Sequence, residues 1–178
     1  ISGSPRKKSN TDYLLTYMRK QANGEFVKLV DYTVLPCNSC WACLKTGDCV
    51  LKDDMVTILT PKLLAADALV LGSPVYFNNV TAQLKAFIDR TWALRGSLTN
   101  KIGAAVVVGR KYGAESAITA MNAFFLKHEM LIANRGISGI AFRSGEIQDD
   151  DEALESATKL AARLLTLGAM LGTGESYS

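Results

Sequence analysis

Histidine is nearly absent from this chain, since His128 is the only one among its 178 residues. A Ser-His-Asp or Cys-His catalytic arrangement would have to use this side chain. His128 falls near the end of an amphipathic helical pattern, where a surface position is the simpler expectation. The metalloprotease pattern H-E-x-x-H and the nucleophile elbow G-x-S-x-G are also missing. Hydrolysis is therefore poorly supported.

A strong excess of one charge and long apolar runs are lacking too. The net charge is only +3 and the basic residues are scattered, which argues against a nucleic-acid partner. No stretch approaches the roughly 20 apolar residues of a membrane span. The sequence opens at Ile1 without a methionine. Because no secretory signal is visible, we expect a cytoplasmic protein. With 48% hydrophobic residues, residues 1–178 can form one domain with a full core.

Strand-like and helix-like segments alternate, which predicts an α/β fold: a doubly wound parallel sheet with helices on both faces. The predicted strands are Phe26–Val30, Ala68–Gly72, Gly103–Val108 and Ile137–Phe142. The predicted helices are Asn10–Gln21, Asp54–Ala65, Val80–Leu94, Glu115–Lys127 and Asp151–Leu171. A fifth strand should end near Ser4, and we expect its earlier residues to be truncated upstream of Ile1.

The segment between this first strand and the first helix has the character of a phosphate site. It offers hydroxyls from Ser4, Ser9 and Thr11 beside a helix N-terminus, with Asn10 and Arg6 as further donors. Such donors suit a phosphate monoester. The segment is neither a dinucleotide G-x-G-x-x-G loop nor a P-loop. An ordinary strand-to-helix turn with a capping side chain is the alternative.

These residues carry a family resemblance. Gly3-Ser4-Pro5-Arg6 with Ser9-Asn10-Thr11 resembles the phosphate loop of the flavodoxin-like FMN reductase superfamily. Ser73–Asn78 resembles the second FMN loop of that family, and the match continues through Leu84–Arg90. The resemblance implies a flavodoxin-like, five-stranded sheet in the order 2-1-3-4-5, with FMN bound outside the carboxyl ends of the strands.

Two later loops are expected to hold the flavin ring. After Ser73, a tight turn would present backbone amides to the pyrimidine end of the ring and an aromatic side chain beside it. The residues concerned are Pro74, Val75, Tyr76, Phe77 and Asn78; the alternative is that both aromatics belong to the core. The resemblance also implies a glycine-bearing loop against the flavin, with Gly109, Arg110 and Gly113. For its basic residues, a solvated turn is the alternative.

All four cysteines lie in one short segment, Cys37, Cys40, Cys43 and Cys49, spaced C-x2-C-x2-C-x5-C. Four thiolates in such a compact run suit a [4Fe–4S] cluster, and Gly47 can make the turn that returns Cys49. Zinc sites more often pair two separated C-x2-C units. A zinc site, disulfides and unused thiols stay open as alternatives.

With its motif placed after the second strand, the chain is similar to the iron–sulfur flavoprotein branch of the superfamily. The resemblance implies a cluster-binding loop over residues 37–49, one [4Fe–4S] cluster and one FMN per subunit, and a homodimer or homotetramer. It implies a flavin-dependent oxidoreductase that passes electrons between a one-electron donor such as ferredoxin, the cluster and FMN, and then to a small-molecule acceptor. The chemistry occurs at flavin N5, so no catalytic side chain is nominated.

Two other functions fit the same sequence. The first is an NAD(P)H-dependent FMN or quinone reductase whose cysteines are structural or vestigial. The second is a zinc-stabilised, flavodoxin-like binding module without turnover. An assay for iron and acid-labile sulfide separates both from the electron-transfer protein.

Overall fold

The computed structural model describes residues 1–172, in which helices and parallel strands alternate. The helices are α1 (Asn10–Ala22), α2 (Cys43–Thr46), α3 (Thr60–Ala65), α4 (Ala82–Arg90), α5 (Ala114–Lys127) and α6 (Asp151–Gly172). The strands are β1 (Ala68–Pro74), β2 (Ile102–Gly109), β3 (Leu131–Ile132) and β4 (Ile137–Ile140). No helix within residues 1–172 is long and apolar enough to cross a membrane.

The sheet is parallel and centred on β2. Strand β1 pairs with β2 in register from Ala68 opposite Ile102 to Pro74 opposite Val108, and β3 and β4 both pair with β2 as well. Ser2 bridges Lys28 and Gly72, so residues 1–3 run between residues 26–28 and β1. Within residues 1–172 the sheet has four strands rather than the predicted five, because the predicted first and second strands are reduced to bridges at Ser2 and Lys28. The neighbours Lys28, Ser2, β1, β2 and β4 nevertheless follow the predicted order 2-1-3-4-5.

Helices cover both faces of the sheet, as predicted. Alternate residues of β2 belong to different apolar clusters because side chains of a strand alternate between its faces. Ala105 and Val107 pack in the cluster that also contains side chains of α3, α4 and α5. Ala104 and Val106 pack in the cluster formed with α1 and α6.

Two predicted elements differ from the structure. The strand predicted for Phe26–Val30 is reduced to the bridge at Lys28, since the chain turns into a 3-10 helix at Leu29–Asp31 and leaves the ladder. The helix predicted for Asp54–Ala65 begins as a π-helix, Met55–Leu59, and becomes α3 only at Thr60. Pro61 has no N–H for an i→i−4 bond, and the Thr60 N–H bonds the Met55 carbonyl instead.

Smaller differences concern element ends. The helix predicted for Val80–Leu94 starts at Ala82, after the N-cap Thr81, and its last turn is a separate 3-10 helix, Thr91–Leu94. Strand β3 was not predicted, because two residues carry no readable alternation. Helix α1 begins at Asn10 with Ser9 as its N-cap, and α6 begins at Asp151, as predicted.

Candidate functional site

The three loops expected to hold FMN lie at one edge of the sheet. They follow residues 1–3, β1 and β2, and these segments run parallel, so their carboxyl ends meet at the same edge. Backbone hydrogen bonds fix this alignment: the Gly3 N–H donates to the Gly72 carbonyl (2.8 Å) and the Val75 N–H donates to the Val108 carbonyl (3.0 Å).

The first loop combines buried hydroxyls with a helix N-terminus. Ser9 caps α1, its Oγ accepting the Asp12 N–H at 3.2 Å, while the buried Ser4 Oγ accepts the Arg6 N–H at 3.4 Å. Thr11 is 1% exposed, and its Oγ1 has no hydrogen-bond partner. Since buried polar atoms are nearly always paired, this hydroxyl is available to a ligand. The Arg6 side chain is exposed at the same loop.

Asn10 connects this loop to the loop that contains Arg143 and Gly145. Its Nδ2 donates to the Arg143 carbonyl at 2.8 Å, and its Oδ1 accepts the Gly145 N–H at 2.7 Å. An amide group carries two donors, so the side chain retains capacity for a phosphate oxygen. The structure thus gives Asn10 a positioning role that its place in the motif does not reveal.

The second loop projects an aromatic side chain from a tight turn. Tyr76 and Asn79 exchange backbone hydrogen bonds of 2.9 and 3.0 Å, and Phe77 and Asn78 between them adopt left-handed φ values of 47° and 57°. Phe77 is fully exposed at the tip, and Tyr76 is 42% exposed. The alternative that both aromatics are core residues is therefore excluded. A left-handed phenylalanine is a strained conformation of the kind found at ligand sites.

Thr81, which the sequence patterns did not single out, ties the first two loops together. Its Oγ1 donates to the Gly3 carbonyl at 2.7 Å and accepts the Leu84 N–H at 3.3 Å as the N-cap of α4. Its own N–H donates to the Ser73 Oγ at 3.1 Å. A threonine preceding an amphipathic helix is a cap signal that could have identified it.

The third loop rests directly on the second. A Cβ atom on Gly113 would lie 2.6 Å from the Asn78 Cα, and Gly113 has a φ of 81°. A Cβ on Gly109 would lie 2.9 Å from the Val75 Cγ2. Both positions therefore need glycine for close approach. Arg110 is exposed beside them.

The four cysteines line a single cavity of about 580 Å³ between their own segment, α4, the 3-10 helix Thr91–Leu94 and α5. None forms a disulfide; Cys37 and Cys40 are exposed and Cys43 and Cys49 are half-buried. Gly47 turns the chain back before Cys49 with a φ of 72°, as predicted. Across residues 1–172, no group of three or more His, Cys, Asp or Glu side chains is gathered as a metal site. Ligation thus requires the thiols to draw closer together in this exposed segment.

Hydrogen bonds already order parts of the cysteine segment. The Ser39 N–H donates to the Cys37 Sγ at 3.4 Å, and the Gly47 N–H closes α2 on the Cys43 carbonyl at 3.0 Å. N–H···S contacts of this kind are one means by which proteins tune cluster sulfurs.

A buried ion pair stands behind the cavity. The Arg90 side chain is fully buried, and its Nη1 and Nη2 reach the Asp53 carboxylate at 2.6 and 2.9 Å. Burial by itself would raise the pKa of Asp53, but the Arg90 bonds, the Leu35 N–H and the Arg90 charge lower it below its ordinary value. The arrangement therefore keeps Asp53 ionised against Arg90.

His128 also lines this cavity, contrary to the surface position expected from the sequence. It is only 5% exposed, its Nε2 lies 2.9 Å from the Thr91 Oγ1, and the Phe124 ring packs edge-on against it at 4.9 Å. Burial, assisted by the Lys127 charge, lowers its pKa. The helical pattern marked the end of α5 but could not show that Thr91, 37 positions earlier, packs against His128.

Unpartnered buried atoms concentrate at the two predicted sites. Among residues 1–172, five buried side-chain nitrogen or oxygen atoms lack a hydrogen-bond partner. Three belong to residues that line the cysteine cavity, Arg90 Nε, Trp92 Nε1 and His128 Nδ1, and a fourth is Thr11 Oγ1 in the phosphate loop. Four of the five unsatisfied atoms thus belong to residues of the two regions where a cluster and a phosphate are expected. The four thiols and the buried hydroxyl are the right chemical types for these groups, and the thiols must still draw together to ligate one cluster.

Residues 1–144 match the sequence profile of the family described as NADPH-dependent FMN reductase. The chain belongs to this family. It is 38% identical to an iron–sulfur flavoprotein of Methanocaldococcus jannaschii, over 92% of this chain and 93% of that protein. This places it among the iron–sulfur flavoproteins of the family and confirms the resemblance.

Solved structures agree with the fold. The Trp repressor binding protein of Bacillus subtilis is 22% identical, with a TM-score of 0.70 over 90% of this chain and 94% of that one. A flavodoxin, the WrbA-like protein of Agrobacterium tumefaciens, is 14% identical, with a TM-score of 0.62 over 90% of each chain. The predicted flavodoxin-like fold is confirmed, and the family confirms a flavin-dependent oxidoreductase.

Proposed function

We propose that this protein transfers electrons between a one-electron donor such as ferredoxin, a [4Fe–4S] cluster and FMN, and onward to a small acceptor. The observation that carries the proposal is that four free cysteines line one cavity, together with three residues that each have a buried nitrogen without a hydrogen-bond partner. The similarity to the iron–sulfur flavoprotein of Methanocaldococcus jannaschii supports the cluster. The proposed cluster ligands are Cys37, Cys40, Cys43 and Cys49.

The FMN would be held at the carboxyl edge of the sheet. Its phosphate would take the Ser4, Ser9 and Thr11 hydroxyls, with Asn10 and Arg6. Its ring would lie against the two later loops, whose residues are Pro74, Val75, Tyr76, Phe77, Asn78, Gly109, Arg110 and Gly113. The orphaned Thr11 Oγ1 and the exposed aromatic tip at Phe77 support this arrangement.

The two cofactors supply the electron chemistry, because a cluster passes single electrons and FMN one or two. The chain's own residues hold and orient them. Thr81 keeps the phosphate loop against the ring loop, and the Arg90–Asp53 pair secures the wall of the cysteine cavity. We propose a cytoplasmic homodimer or homotetramer in which a second subunit covers Trp41, which is 57% exposed. Light scattering on the purified protein tests that assembly.

Anaerobic purification with assays of flavin, iron and acid-labile sulfide tests the function. The expected result is one FMN with about four iron and four sulfide per chain. Zinc in place of iron would contradict the electron-transfer function. Rapid bleaching of the flavin by NADPH in a protein that contains no iron would contradict it as well.

The Cys43→Ala variant tests whether the two sites are separate. It should lose cluster absorbance and keep FMN, because Cys43 lies in the cysteine segment and the FMN loops lie at the edge of the sheet. Loss of FMN together with the cluster would contradict the assignment of separate sites.

A further inference from the structure

Arg90 connects the two ends of the cysteine segment. Besides the bidentate pair with Asp53, its Nη1 donates to the Leu35 carbonyl at 2.8 Å and its Nη2 donates to the Leu51 carbonyl at 3.0 Å. Leu35 precedes Cys37 and Leu51 follows Cys49. One guanidinium therefore clamps the chain on both sides of all four cysteines.

Asp53 completes the clamp. Its Oδ2 accepts the Leu35 N–H at 2.9 Å as well as the Arg90 Nη1. Both side chains are nearly inaccessible, with 0% of Arg90 and 5% of Asp53 exposed. A planar guanidinium can satisfy a carboxylate and two carbonyls at once, whereas an ammonium group cannot match that fork.

One donor of Arg90 is left over. Its Nε–H is buried and has no hydrogen-bond partner, although the remainder of the guanidinium is fully paired. The Cys49 side chain interacts electrostatically with the guanidinium, and both residues line the cysteine cavity. A buried N–H donor without a partner costs free energy, which points to an acceptor that takes this hydrogen bond when the cluster is bound.

We propose that Arg90 is a positioning residue for the cluster: it holds the cysteine segment closed and donates its Nε–H to the Cys49 sulfur when that sulfur is a cluster ligand. This inference rests on the proposed function. The Asp53 carboxylate balances the net charge of the guanidinium, so the local N–H dipole is what acts on the sulfur. A donor at a ligand sulfur stabilises the more negative, reduced cluster and raises its reduction potential.

The test compares the reduction potential of the loaded cluster in three variants with that of the wild-type protein. Arg90→Lys keeps the charge but lacks the fork. The double variant Arg90→Gln with Asp53→Asn removes both charges, so that no lone carboxylate is left buried to unfold the protein. Lys85→Gln is the matched control, because it removes a cation of the same helix that pairs with Asp89 and does not line the cavity.

Potentials are read by redox titration followed by electron paramagnetic resonance, beside iron content and the melting temperature of the cluster-free protein. Arg90→Lys and the double variant should each favour the oxidised cluster about tenfold more than the wild-type protein does. This corresponds to a fall of roughly 59 mV in the one-electron reduction potential of the cluster. Lys85→Gln should match wild type. A merely structural Arg90 would change the melting temperature and leave the potential of the loaded cluster unchanged.

The following outcomes separate a failure of this inference from a failure of the proposed function. If the wild-type protein and Lys85→Gln hold no iron, the proposed function fails. If both hold the cluster and Arg90→Lys retains the wild-type potential, the hydrogen bond from Nε is refuted while the proposed function stands. A double variant that folds, loads iron and keeps the wild-type potential refutes it as well.

Discussion

Replacement of Thr81 by valine tests how the phosphate loop is held in place. The substitution keeps the shape of a side chain that is 0% exposed and removes its hydroxyl. Two bonds disappear: the one donated to the Gly3 carbonyl at 2.7 Å and the one accepted from the Leu84 N–H at 3.3 Å. The first joins the phosphate loop to α4, and the second caps that helix.

The expected loss follows from these two bonds. Removal of a threonine cap costs about 1 kcal/mol. A buried carbonyl at Gly3 that loses its partner costs about 1–3 kcal/mol. The free energy of unfolding should therefore fall by about 2–4 kcal/mol, which lowers the melting temperature of a chain of this size by roughly 4–16 °C.

Urea unfolding of the cofactor-free protein measures this loss, and quenching of flavin fluorescence measures FMN binding. Because the Gly3 backbone begins the phosphate loop, Thr81→Val should also weaken FMN binding about tenfold, or about 1.4 kcal/mol. Thr81→Ser is the control; it retains the hydroxyl and should lose only about 1 kcal/mol, through its missing methyl group. If the valine variant unfolds no more readily than the serine variant, the two hydrogen bonds do not hold the loop.

Two further predictions concern Gly113 and His128. Gly113→Ala places a Cβ 2.6 Å from the Asn78 Cα and should therefore weaken FMN binding. Gly96→Ala is the control, because Gly96 has a similar φ of 83° but no atom within 4 Å of the added Cβ. The control should lose only the backbone strain of about 1–2 kcal/mol and bind FMN normally. Equal FMN affinities for the two variants would refute the contact. Since burial lowers the pKa of His128, its contribution to stability is complete above its ordinary value of 6.5 and declines as the pH falls below it. Melting temperatures of the cluster-free protein should show this decline, His128→Gln should reduce it, and an unchanged pH profile in that variant would contradict the burial of a neutral imidazole.

Features that depend only on residues close together in the sequence were predictable. The start of α1 at Asn10 and the apolar run of β2 are where they were expected, because helix starts follow capping chemistry and such runs follow burial on both faces of a parallel sheet. The turn at Gly47 followed from the permissiveness of glycine. The edge segment at Lys28 was not predictable in its detail, because its extent depends on hydrogen bonds to Ser2 rather than on its own apolar pattern.

The role of Arg90 shows the limit of such patterns. Arg90 follows Leu84 and Phe87 at three-residue spacing on the buried face of α4, so a charge on an apolar stripe was readable. Its partner Asp53 lies 37 positions away, and only the packing of the cysteine segment onto α4 brings them together.

The sequence by itself determined which chemical groups stand close together: the hydroxyl-rich loop expected to bind phosphate, the two aromatic residues after Pro74 and the four cysteines at C-x2-C-x2-C-x5-C spacing. These depend on residue type and short spacing, which covalent geometry preserves. Only the tertiary structure decided what surrounds them, including the clamp by Arg90, the burial of His128 and the bracing of Gly145 by Asn10, 135 positions away. Contacts of that kind exist only once helices and strands pack, because no local pattern encodes which distant group will fill a neighbouring space.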